Sequence, residues 1–176
     1  MLVALIGYRG TGKTTVARLL ALRLGWSWRD ADIELERRAG RTIAEIFACD
    51  GEGTFRDLES DVLADLTRLD RAVLALGGGV VLRQENRNLL AGATLVWLAA
   101  SAETIQERLA ADPATGSQRP NLTIDGGLTE IRAKLDDRRE LYRQSADLAV
   151  DTESKTPDQI VAEILVRLPE LGGPIV

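Results

Sequence analysis

Apolar residues cluster in runs of strand length at positions 2–6, 72–76, 94–98 and 148–150, with a shorter run at 26–28. Between these runs the hydrophobic positions recur at helical spacing. Val16, Leu19, Leu20 and Leu24 share one face, and Val62, Leu63, Leu66 and Leu69 share another. Strands apolar on both faces, alternating with one-sided helices, predict an α/β protein: a parallel sheet with helices on both sides in three layers. Local chemistry sharpens some boundaries. Thr42-Ile43-Ala44-Glu45 reads as a capping box opening a short helix, and Thr156-Pro157-Asp158 as an N-cap, a first-turn proline and an acidic residue facing the helix dipole, which predicts a last helix over 157–168. Residues 111–125, which contain Asp112-Pro113, Gly116 and Arg119-Pro120, show no apolar period and are long for a plain connection. They are expected to form a lid.

Composition narrows the class. With 176 residues, 45% hydrophobic and 28% charged, the chain reads as one domain over 1–176, without linker or repeat. A net charge of −5 opposes non-specific binding to nucleic acid or an anionic membrane, so an anionic ligand must meet a local cluster of Arg and Lys. No apolar run is long enough for a membrane span or a signal segment. Cys49 is the single cysteine, which rules out an internal disulfide and agrees with a reducing cytoplasm. Histidine is absent, so carboxylates and Lys must manage any protons. No long exposed apolar face stands out, and a monomer is expected.

The most specific chemistry lies directly after the first apolar run. Gly7-Tyr8-Arg9-Gly10-Thr11-Gly12-Lys13-Thr14 fits G-x-x-x-x-G-K-[ST] at every fixed position and leads into a helical stretch beginning at Thr15. Glycines at 7, 10 and 12 let the backbone aim N–H groups inward, where the following helix N-terminus adds attraction for a polyphosphate. Lys13 supplies a charge for the outer phosphates. Thr14 supplies a hydroxyl suited to Mg²⁺.

Five further groups are candidates, each with a bland alternative. Asp30 and Asp32 follow the 26–28 run, and in extended chain both would point the same way, one orienting water on Mg²⁺ and one receiving an attacking hydroxyl; the alternative is helix capping. Arg56 with Glu59 three residues on could recognise an anion or form a surface salt bridge. Arg138 and Arg139 could capture a carboxylate or lie on a solvated helix face. Gly77-Gly78-Gly79 lets backbone approach a ligand or simply turns the chain. Arg119 in the expected lid could act as an arginine finger or be an ordinary loop residue.

Taken in order, these residues resemble the shikimate kinases over essentially the whole chain. The likeness is carried by Gly7 to Thr15, Asp30-Ala31-Asp32, Gly40-Arg41-Thr42-Ile43, Gly51-Glu52 with Phe55-Arg56 and Glu59, Leu76 to Gly79, Arg119-Pro120, and Arg138 with Leu141-Tyr142. The resemblance implies a P-loop kinase fold with a five-stranded parallel sheet, a substrate-binding segment near 31–60 and a mobile lid. It also implies ATP-dependent phosphorylation of shikimate in aromatic amino-acid biosynthesis. By the same resemblance, Gly10, Thr11, Gly12, Lys13, Thr14 and Thr15 serve ATP, and Thr14 and Asp30 serve the metal. Asp32 holds the reacting hydroxyl, while Arg56, Glu59, Gly77, Gly78, Gly79 and Arg138 form the shikimate cradle. Arg119 covers the phosphates, and Arg108, Lys155 and Pro157 lie toward adenine. Asn121, where an apolar residue is commoner, the length of 111–118, and Glu140, in place of a frequent proline, depart from the family pattern. The rival readings are a gluconate or nucleoside monophosphate kinase of the same fold, and a nucleotide-binding regulatory protein without kinase activity.

Overall fold

A computed structural model describes residues 1–111 and 127–171. Five strands form one parallel sheet: β1 (Leu2–Ile6), β2 (Ser27–Asp30), β3 (Ala72–Ala75), β4 (Thr94–Ala99) and β5 (Leu148–Asp151), in the spatial order β2-β3-β1-β4-β5. Every residue of β1 and β3 is buried, which is why both read as unbroken apolar runs. Side chains alternate between the two faces. Leu2, Ala4 and Ile6 enter one core with Ala72, Leu74 and Leu95, while Val3 and Leu5 enter the other with Val73, Ala75, Val96 and Leu98.

The first core is closed by α2 (Ala31–Ala39), α3 (Ile43–Leu66) and α6 (Leu128–Ser145), through Leu35, Ile46, Phe55, Leu63 and Tyr142, with α4 (Gln84–Leu89) lying against α3. The second is closed by α1 (Lys13–Leu24) and α7 (Pro157–Arg167), through Val16, Leu20, Ile160 and Ile164. Burial of each such aliphatic side chain contributes about 1.5–3 kcal/mol. A third cluster of Tyr8, Ala102, Ile105 and Ile131 ties the loop after β1 to α5 (Ala102–Ala111) and to α6. The helices that cover the sheet thus also fix the loops at the carboxyl ends of its strands, where ligands of such sheets bind.

The capping boxes form as the spacing predicts. Thr42 N donates to Glu45 Oε2 at 2.7 Å and Glu45 N to Thr42 Oγ1 at 3.2 Å, and Thr156 pairs with Gln159 in the same reciprocal way. The helix opened by Thr42 is nevertheless not short. α3 continues for 24 residues across Gly51, whose φ of 80° and ψ of 175° break the helical path, and Phe47 and Phe55 pack ring to ring across the break with centroids 4.6 Å apart. Asp30 and Asp32 are not on one extended strand either. β2 ends at Asp30 and α2 begins at Ala31, so Asp32 sits in a helical first turn. The last helix ends at Arg167 and tightens into a 3₁₀ turn over Leu168–Leu171. Apart from Ala111, the expected lid lies outside the described residues. Among the described residues no helix is long and apolar enough to cross a membrane.

Candidate active site

The loop from Gly7 to Gly12 leaves the central strand β1 and turns into α1. Gly7 has φ 138°, and a Cβ there would meet the Leu98 carbonyl oxygen at 2.5 Å, so glycine alone fits. Gly12, at φ 88°, is the N-cap of α1 and leaves that helix end open toward the loop. Lys13 Nζ donates to the carbonyls of Gly7 and Tyr8 at 2.9 Å each, which lays its charge along the inside of the loop. Thr11 Oγ1 donates to the Tyr8 carbonyl at 2.8 Å.

The two carboxylate oxygens of Asp30 have different partners. Its Oδ1 accepts from the amides of Asp32 (3.0 Å) and Ile33 (3.4 Å), capping α2, while its Oδ2 accepts from Thr14 Oγ1 at 2.6 Å. The cap orients the carboxylate, and the carboxylate reaches across to the loop. A hydroxyl and a carboxylate side by side at a phosphate loop fit Mg²⁺, which takes one or two protein oxygens and completes its shell with phosphate and water. Among the described residues no group of three or more acidic, Cys or His side chains could hold a metal ion by itself, so the phosphates would have to supply ligands. Asp32, half-buried, stands in the first turn of α2.

The second pocket wall is built around Gly78 and Gly79, after β3. Arg56 is buried, not on the surface: its side chain is 11% exposed and that of Glu59 is 3% exposed. Arg56 Nη1 donates to Glu59 Oε2 at 2.6 Å, and its Nε and Nη2 donate to Glu52 Oε1 at 3.3 and 3.1 Å. Burial alone would lower the Arg56 pKa, but the charge and hydrogen bond of Glu59, with help from Glu52, outweigh it and leave the pKa raised. The guanidinium lies flat enough against Gly79 that a Cβ there would come within 2.6 Å of Arg56 Cζ. Arg138 is likewise buried, and its Nη1 donates to the Gly78 carbonyl at 3.2 Å. One turn later on α6, the Tyr142 hydroxyl donates to the same carbonyl. Arg139, one residue on, is exposed beside Asp136 and takes no part.

These two walls touch. A Cβ at Gly78 would lie 3.3 Å from the Gly7 carbonyl oxygen and 3.5 Å from Arg9 N and Tyr8 Cα. Two buried guanidinium groups therefore stand behind the phosphate loop, in an otherwise acidic protein. Farther along the sheet edge, Arg108 donates to Thr152 Oγ1 (3.0 Å) and to its carbonyl (2.8 Å), at the turn leading to Pro157. Lys155 pairs with Glu163 at 2.7 Å. Thr15 is exposed in the first turn of α1, and Arg119 lies outside the described residues. Glu52, Tyr8 and Tyr142 were not singled out as site residues from sequence; the i,i+4 spacings Glu52 to Arg56 and Arg138 to Tyr142 were the available signals.

A three-layer parallel sheet with this loop at its central strand defines a P-loop nucleotide-binding protein. The family model described as shikimate kinase matches residues 9–169. The chain belongs to the shikimate kinase family. It is 43% identical to the shikimate kinase of Rhodopirellula baltica over 170 residues, covering 96% of this chain and 91% of that protein. The structure of the Acinetobacter baumannii shikimate kinase in complex with shikimate superposes with a TM-score of 0.89 at 34% identity, over 97% of this chain and 93% of that one. A gluconokinase from Sinorhizobium meliloti, at 18% identity and a TM-score of 0.56 over 96% of this chain and 91% of that one, shares the fold alone.

Proposed function

We propose that this protein transfers the terminal phosphoryl group of ATP to a ring hydroxyl of shikimate, giving shikimate 3-phosphate and ADP on the route to chorismate and the aromatic amino acids. The observation that carries the reading is the pair of buried guanidinium groups, Arg56 and Arg138, flanking Gly78 and Gly79 against the phosphate loop. Such a pair suits two-point capture of a carboxylate. A shikimate carboxylate held there presents the ring toward Asp32. Glu59 orients Arg56, and the Gly77 to Gly79 backbone lets the ring approach closely.

On the nucleotide side, Gly10, Thr11, Gly12 and Thr15 cradle the phosphates, and Lys13 exchanges its loop carbonyls for phosphate oxygens. Thr14 and Asp30 would hold Mg²⁺, which when bound neutralises charge on the phosphates. Asp32 orients the acceptor hydroxyl and accepts its proton as the new bond forms. Arg119, from a lid over 111–125, covers the transferring group, while Arg108, Pro157 and Lys155 border adenine. The whole chain 1–176 acts as one domain, with 31–60 as the acceptor-binding segment, as a cytoplasmic monomer. Catalysis is then positioning and charge stabilisation, with no covalent intermediate.

A coupled ADP-release assay run in parallel with shikimate, gluconate and nucleoside monophosphates tests the acceptor. Turnover with shikimate alone is expected, and preference for another acceptor overturns the reading. Asp32→Asn is expected to lower kcat by at least about 10²-fold, the scale of a lost general base, while calorimetry still registers ATP binding. Near-normal turnover in that variant removes Asp32 from the mechanism.

A further inference from the structure

Tyr8 faces both pockets, and the proposed mechanism gives it no task. Its main chain belongs to the nucleotide side, because its carbonyl accepts from Lys13 Nζ and Thr11 Oγ1. Its side chain belongs to the other. Tyr8 is 4% exposed, packed with Ala102, Ile105 and Ile131, and Arg138 Cζ stands over its ring at 5.8 Å from the centroid. Arg9 Cζ lies over the same ring at 6.0 Å.

A buried guanidinium has lost hydration and gains from the negative face of an aromatic ring, more so as water is excluded. Among the described residues Arg138 is held by a hydrogen bond of 3.2 Å to Gly78, which is at the long end of the normal range. A long bond from one nitrogen fixes the orientation of a guanidinium plane only loosely. The fixed ring of Tyr8 restricts that orientation before any ligand arrives, which lowers the ordering cost of binding.

We infer that Tyr8, although part of the nucleotide loop, is a positioning residue for the acceptor: its ring orients Arg138 to receive the acceptor carboxylate. This rests on Arg138 belonging to the carboxylate cradle. Tyr8 consequently links the two substrates through one residue, its main chain under the phosphates and its ring under the acceptor's counter-ion.

The test compares Tyr8→Leu and Tyr8→Met, which fill space without a ring face, with Tyr8→Phe, which keeps the face. KM for shikimate, KM for ATP and kcat are measured for each, with Arg138→Lys as a control. Loss of a desolvated cation–ring contact is expected to raise the shikimate KM about 5- to 30-fold in the Leu and Met variants. The ATP KM stays within about twofold in the same variants, because the loop carbonyl that serves Lys13 is untouched. Tyr8→Phe is expected to remain near wild type. An unchanged shikimate KM in Tyr8→Leu, a rise in Tyr8→Phe as large as in Tyr8→Leu, or a parallel rise in both KM values overturns the inference. Tyr8→Met, with its adaptable side chain, carries the comparison should Tyr8→Leu not fold. An Arg138→Lys enzyme with normal shikimate KM removes the cradle itself, whereas a weakened Arg138→Lys with normal Tyr8 variants removes only the role of Tyr8.

Discussion

Gly79→Ala isolates the position of Arg56 from its charge. Gly79 has φ −101° and ψ 0°, a conformation open to alanine, so the backbone itself does not resist the change. The added methyl does. It would sit 2.5 Å from Arg56 Nη2 and 2.6 Å from Cζ, well inside van der Waals contact. Relief requires the guanidinium to retreat by roughly 1 Å, since carbon atoms prefer a separation near 3.5–4.0 Å. Arg56 is not free to retreat, because its guanidinium is tied by a 2.6 Å bond to the buried Glu59 whose geometry the shift would disturb. A charge-assisted bond of this kind contributes about 1.5–3 kcal/mol, and a displaced partner in a buried ion pair weakens ligand binding by about 2–5 kcal/mol. At 1.4 kcal/mol per tenfold, the shikimate KM is expected to rise on the order of 10²-fold, with ATP binding unaffected. Steady-state kinetics at saturating ATP, paired with calorimetric titration of ADP, measure both sides. A shikimate KM within twofold of wild type would show that acceptor binding does not depend on where Arg56 is held.

Two other perturbations separate structural from chemical roles. Asp30→Ala is expected to lose α2 capping, at about 1 kcal/mol of stability, and to raise the Mg²⁺ concentration for half-maximal activity; a lower melting temperature with unchanged Mg²⁺ dependence would leave Asp30 as a cap alone. Glu34 is held near a pKa of about 2 by hydrogen bonds from Arg37 and then Arg38, against its usual 4.5. Its folded-state value is depressed, so the stabilisation is complete above about 4.5 and is lost as pH falls toward 2. Solvent screening of its Arg partners keeps the contribution to about 1 kcal/mol or less. Denaturant titrations of wild type and Glu34→Gln are expected to differ at pH 6 and converge near pH 2, and a constant gap across that range would refute the linkage.

Much of the fold was legible because its signals are local. β1 and β3 are buried on both faces and read as solid apolar runs, and the phosphate loop needs glycine wherever φ is positive. What sequence spacing could not decide was depth. Arg56 and Glu59 form an i,i+3 pair that looks the same on a surface helix as in a pocket, and only packing of α3 against the β3 loop buries it. Arg138 and Arg139 differ by one helical step of about 100°, yet that step separates a buried anchor at Gly78 from a solvated neighbour of Asp136. The length of α3 was hidden for a related reason. Gly51 and Gly53 suggest a stop, but Ile46, Phe47 and Phe55 keep both halves on one core. Asp30 and Asp32 do not share a face by strand alternation: Asp30 ends β2, caps α2 and meets Thr14, while Asp32 falls in the first helical turn.

In the proposed site, Gly78 amounts to a party wall one main chain thick between donor and acceptor. A single methyl there would press on the nucleotide loop's own backbone at 3.3 Å, tight enough to push it aside by a few tenths of an ångström. In the proposed site a different acceptor preference therefore has less room to evolve at this wall than among the side chains that α2, α3 and α6 supply.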